Sequence, residues 1–169
     1  GYDKVTAGEA DYRAVLKDEA EAVLLEQENR RSEQESTADT LINEYEGRLK
    51  DDPENLKLIR SLAELHNRKK DFDRSIEYYE RFNKTNLRSD SAVDRAIVQT
   101  KLRRFDAQIE EAEGEAAEKL TEERKAFEIG QIQHLSETYP SDLSLRFELG
   151  VLQFEAGDVQ AAIRSFQRA

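Results

Sequence analysis

Residues 140–169 read PSDLSLRFELGVLQFEAGDVQAAIRSFQRA, and this stretch decides the fold. Pro140-Ser141-Asp142 caps a helix carrying Leu143, Phe147, Leu149, Gly150 and Phe154. Ala156-Gly157-Asp158 then breaks the pattern, because glycine ends a helix at little cost. Val159, Ala162, Ile163 and Phe166 follow at three- and four-residue steps, which predicts a second helix folded back on the first.

The theme recurs upstream. Past Pro53, Leu56, Ile59, Leu62, Ala63 and His66 lie on one helix face. A break at Arg68-Lys69-Lys70-Asp71 leads to Phe72, Ile76, Tyr79 and Phe82 on another. After Asn86-Leu87-Arg88-Ser89-Asp90 come Ala92, Ala96, Ile97 and Thr100, then Arg103-Arg104, then Phe105 and Ile109. Three helix–turn–helix units on one template are a repeat signature.

These residues resemble the tetratricopeptide (TPR) family, whose unit of ~34 residues is two antiparallel helices, A and B. In the last unit Pro140 stands at the closing proline of the preceding repeat, and Leu149-Gly150 is similar to the small-residue pair of helix A. Gly157-Asp158 resembles the turn, Ala162 the small residue of helix B, and Phe166 the aromatic that packs towards the next repeat. In the first unit Ala63 takes the small position, Asp71-Phe72 matches the turn with Lys70 in place of glycine, and Phe82 stands where alanine is preferred. In the second, Ala96 and Phe105 match, while Gln108 replaces the small residue. The resemblance covers residues 53–112 and 140–169. It implies an all-α, TPR-like α-solenoid, to which the N-terminal residues and the extra residues described next add long helical arms.

The spacing departs from the period in one place. Phe72 and Phe105 are 33 residues apart, but Phe105 and Val159 are 54 apart, about 20 too many. Residues 105–139 hold no proline before Pro140 and are rich in helix formers. They are expected to form one elongated second helix, bent at Gly114 or Gly130, which if continuous spans ~52 Å. The alternative is a break near Leu120-Thr121 with Thr121 as cap. The expected division is therefore a helical arm over 1–52, two units over 53–139, and a third, truncated unit over 140–169. Residues 1–8 are expected to fray. Tyr12, Leu16, Ala20, Val23 and Leu24 then form a narrow apolar stripe. Ser36 and Thr37 are candidate caps for a further helix, so residues 9–50 form either one helix or two. Pro53 stops them.

Charge narrows the partners. The chain of 169 residues carries a net charge of -11, which disfavours nucleic acid and anionic membranes. Residues 1–52 are net -8, residues 53–105 net +5 and residues 106–169 net -8, so a basic middle lies between acidic arms. No Cys occurs, which excludes disulfides and thiolate metal sites and leaves the compartment open, the cytoplasm being favoured. No apolar run approaches the ~20 residues of a membrane span. There is no Met, so the natural start is expected to lie upstream of Gly1, and the last unit is expected to continue beyond Ala169.

Chemistry has no positive signal. His66 and His134 have no metal-ligand spacing, and consecutive acids such as Glu110-Glu111-Ala112-Glu113 fan around a helix without converging. No phosphate-binding, zinc-protease or nucleophile-elbow motif occurs. The expectation is a non-catalytic protein with no cofactor and no metal.

The TPR resemblance implies a groove walled by the A helices that captures a peptide or helix. Its wall positions are Lys57, Arg60, Glu64, Asn67 and Arg68 in the first unit. Asp94, Ile97, Val98 and Lys101 follow in the second, and Phe147, Val151, Phe154 and Glu155 in the third. The family's carboxylate clamp is not expected, because Glu64 stands where asparagine is required. The groove reads as cationic at one end and apolar at the other, suited to an acidic amphipathic helix from another protein, from residues 9–27, or from a second copy in a homodimer. Two other functions stand beside this scaffold reading. One is a coiled-coil assembly protein pairing residues 9–50 and 105–139, whose apolar spacing does not hold strict heptads beyond about two turns. The other is an accessory domain of a larger enzyme.

Overall fold

A computed structural model describes the backbone of residues 2–169 and the side chains from Tyr12 onward. Of the segment expected to fray, Gly1 lies outside the described residues, while the backbone of residues 2–8 is helical and opens α1. The described residues form seven helices and no strand: α1 (Tyr2–Asp51), α2 (Leu56–Arg68), α3 (Phe72–Thr85), α4 (Ser91–Glu111), α5 (Gly114–Thr138), α6 (Leu143–Glu155) and α7 (Val159–Phe166). Two compact units divide the chain, Gly1–Glu44 and Tyr45–Ala169.

Within the first unit every side chain from Tyr12 to Thr37 is exposed. Helix α1 does not restart at Ser36 or Thr37. The Thr37 hydroxyl donates to the Glu33 carbonyl at 2.9 Å, and Thr40 donates to Ser36 at 3.0 Å. Both bond back four residues along a continuing helix, the alternative use of a residue type that otherwise caps. The pairs Glu26–Arg30 (2.8 Å) and Arg31–Glu35 (3.6 Å) add modest i,i+4 support.

The second unit is a stack in which each helix from α2 to α7 packs on its neighbour in sequence. Each start is capped where the sequence supplies a capping side chain. Asn55 accepts from Leu58 N, Asp90 from Ala92 N and Val93 N, and Asp142 from Ser144 N. Such caps each contribute about 1 kcal/mol.

The α2–α3 and α6–α7 turns are chemically equivalent. Asp71 N–H donates to the His66 carbonyl and caps α3; Asp158 N–H donates to the Gln153 carbonyl and caps α7. The residue before each cap is left-handed, Lys70 at φ 61° and Gly157 at φ 85°. Lysine pays the Cβ penalty that glycine escapes. Lys70→Gly is therefore expected to raise the unfolding free energy by about 0.5–1 kcal/mol, read as a higher urea midpoint at unchanged slope.

The same equivalence fixes the close approach inside each hairpin. In the first, Ala63 is fully buried and its carbonyl accepts from the buried Ser75 hydroxyl at 2.7 Å. In the last, the Phe166 ring lies so close to Gly150 that a Cβ there would meet ring atoms at 2.5–2.9 Å. The glycine is needed for that contact.

The middle hairpin differs from the sequence expectation. No turn occurs at Arg103-Arg104, and no single helix runs over 105–139; α4 passes straight through Phe105 to Glu111. The break lies at Ala112-Glu113, with Gly114 at φ +57° opening α5, which then runs unbroken past Thr121 and Gly130. Arg103-Arg104-Phe105 lacks the capping Asp of the other turns. Instead Arg103 donates to the Asn67 side chain and lies 5.2 Å over the Phe72 ring, and Arg104 pairs with Asp73 at 2.7 Å. These contacts with the preceding hairpin hold the segment helical. The extra residues are shared between both helices, 21 in α4 and 25 in α5, and lengthen the hairpin. Phe105 against Phe127 (5.5 Å between ring centres) and Asp106 with Arg124 (2.7 Å) tie its outer part.

Two groups of side chains form the core. Ile59, Leu62 and Ala63 of α2 and Val93 of α4 are wholly buried. Val98 and Leu102 of α4, Ile132 and Leu135 of α5, and Leu145 and Leu149 of α6 form the second cluster, joining three helices. Each buried aliphatic side chain contributes about 1.5–3 kcal/mol.

Candidate protein-binding surfaces

The first candidate surface follows helices α2, α4 and α6. Asn67 of α2 donates to Thr100 of α4 at 2.6 Å, and the Thr100 hydroxyl donates to the Ala96 carbonyl at 2.7 Å. Arg95 of α4 reaches Glu148 of α6, both guanidinium nitrogens lying 2.7 Å from one carboxylate oxygen. These side-chain contacts link α2 to α4 and α4 to α6.

Lys57, Arg60, Glu64, Asn67 and Arg68 fall on one side of α2 by helical geometry, and all but Asn67 are exposed. Asn67 is held by α4. Arg60 is paired with Glu64 at 3.2 Å, an exposed pair that costs little to break. Lys101 is half-buried on α4. On α6, Val151 is half-buried and lies about 60° around the helix from Glu148. Phe147 and Phe154 are 59% and 62% exposed but share a face with Leu143, about a quarter turn from Glu148. Phe147 meets Phe166 of α7 at 5.5 Å. The α2 residues thus share one side of that helix, and the two phenylalanines share a face of α6 with Leu143.

Asp94 serves packing. It accepts from Asn83 at 2.8 Å and from the Tyr139 hydroxyl at 2.5 Å, linking α3, α4 and the α5–α6 turn. Burial first, then the hydrogen bond to Asp94, push the Tyr139 phenol up to about 12 from its ordinary 10.0. A folded-state pKa above the unfolded one means a contribution that is whole below pH 10 and is lost as pH climbs through about 12. Tyr139→Phe is expected to cost about 1–2 kcal/mol at neutral pH. It should also remove part of the stability loss between pH 10 and 12 seen in wild-type urea titrations.

His66 is buried and stacked on Tyr78, 5.5 Å between ring centres and 14° from parallel, with Glu46 at 3.8 Å and Asp71 at 3.5 Å. The Tyr78 hydroxyl donates to Glu46 at 3.1 Å, and burial first, then Glu46, raise its pKa. His134 is exposed. Among the described residues no group of three or more His, Asp or Glu is placed to hold a metal ion, and no helix is long and apolar enough to cross a membrane.

A second surface was not found by sequence reasoning. A cleft of about 510 Å3 lies between α5, α6 and α7, and its lining includes Arg146, Arg164 and Arg168. The available signal was the i,i+4 spacing of Arg164 and Arg168 in an otherwise acidic segment.

No protein-family profile matches the chain, and no curated protein sequence does. Among solved structures it is similar to one described as the crystal structure of MamA, with a TM-score of 0.47 and 15% sequence identity. The match covers 75% of this chain and 63% of that one, so the chain spans less than two thirds of that neighbour's length.

Proposed function

We propose that this chain is a non-catalytic protein-interaction scaffold that holds a peptide or helix of another protein along α2, α4 and α6. The observation that carries this reading is the linking of α2 to α4 by Asn67–Thr100 and of α4 to α6 by Arg95–Glu148. Lys57, Arg60, Glu64 and Arg68 are exposed on α2, and Phe154 is exposed on α6. Exposed cations beside apolar surface suit an acidic amphipathic segment.

Photo-crosslinking tests it. A crosslinking side chain at Lys57, Arg68 or Phe154 should capture the same partner in cells, and one at Glu77 or Lys84 of α3 should not. Arg60→Glu with Arg68→Glu should abolish the capture. Equal capture from α3, or capture untouched by the reversal, would overturn the reading.

A further inference from the structure

We propose that the cleft between α5, α6 and α7 is a second binding site, for a carboxylate-bearing segment of a partner protein. It is separate from the surface above. Arg146, Leu149 and Gln153 line the cleft from a face of α6 turned well away from Glu148, the residue that meets α4.

The charged groups in the cleft differ in whether they already have partners. Five charged side chains line it: Glu137, Asp158, Arg146, Arg164 and Arg168. Asp158 is occupied as the cap of α7, accepting from Ala161 N at 3.0 Å. Glu137 accepts from Gln133 of its own helix at 3.2 Å. Among the described residues, none of the three arginines has a carboxylate within ion-pair distance. Arg146 instead donates to the Arg168 carbonyl at 2.8 Å, which draws its guanidinium towards the end of α7, where Arg164 lies in the last turn and Arg168 just beyond it.

This gathering is against the local trend. Residues 106–169 carry six basic and 14 acidic side chains, and three of the six basic ones line one cleft. Like charges brought close together oppose each other. An arriving carboxylate relieves that opposition and accepts the paired N–H groups that a guanidinium presents.

The size and the rest of the lining select a peptide. The cleft volume, about 510 Å3, admits a few side chains and not a whole helix. Pro140, Leu149 and Ala161 stand beside the arginines, surfaces that an apolar neighbour of a glutamate can cover and that a bare inorganic anion leaves unused.

The test uses the full chain and a short fluorescein-labelled peptide of Glu-Glu-Leu repeats, followed by fluorescence anisotropy. Binding should weaken steeply with added salt. Arg164→Gln and Arg168→Gln should each weaken it about tenfold, and together abolish it. Both positions are exposed, and circular dichroism melts should show the fold unchanged. The α2 double reversal, Arg60→Glu with Arg68→Glu, should leave this binding intact. The proposal is overturned if the peptide does not bind, if the α2 variant loses it and the cleft variants keep it, or if millimolar inorganic phosphate binds the cleft while the peptide does not.

Discussion

Phe82→Ala is expected to lower the unfolding free energy by about 3–5 kcal/mol, a large part of the 5–15 kcal/mol that a domain commonly holds. Phe82 is 6% exposed and ends the buried face of α3 after Phe72, Ser75, Ile76 and Tyr79. A small residue is expected here by resemblance, and the ring takes the space that such a residue leaves. Its removal costs the transfer of the ring and the cavity left behind, since neighbouring helices in a stack close in only partly. Urea unfolding followed by circular dichroism reads the loss. Phe82→Leu should recover most of it, and a loss under about 1 kcal/mol for alanine would show that the cavity collapses.

Leu145→Ala is expected to cost about 2–5 kcal/mol and, unlike Phe82→Ala, to change the shape of the transition. Leu145 is 2% exposed and belongs to the cluster that joins α4, α5 and α6. Its helix is held to the stack by this cluster and by Arg95–Glu148, a half-exposed pair of modest worth. In a repeat stack, stability is a sum of terms within units and between neighbours, so weakening one junction lets the unit beyond it open alone. The variant should unfold in two steps, with α6–α7 first. Hydrogen exchange should show amides of 143–166 opening at a lower urea concentration than those of 56–85. One sharp, uniformly shifted transition would show that coupling across the junction survives.

Much of the stack was legible because its signals are local. Pro53, Asp71, Asp142, Gly157 and Asp158 act within their own turn of chain, and the structure places a boundary or cap at each. Sequence pattern misplaces the α4–α5 hairpin because its decisive contacts are not local. Nothing near Arg103 in sequence reveals that its guanidinium bonds Asn67, 36 residues earlier. At Thr37 the ambiguity was chemical: one hydroxyl can start a helix or bond back within it, and it does the latter. The candidate surfaces divide the same way. The row on α2 is visible from helical spacing alone. The cleft joins Arg146 to Arg164 and Arg168 only after the α6–α7 hairpin has closed.

The predominance of packing between helices adjacent in sequence, from α2 to α7, also governs how the chain finds its structure. The segments between successive helices are as short as Ala112-Glu113, so each closing loop gives up little entropy. Topologies of that kind fold within microseconds to milliseconds. On the ribosome each hairpin can close soon after its second helix emerges, without waiting for distant sequence. Helix α6 gains the surface it docks on only when Ile132 and Leu135, near the far end of α5, are in place against α4.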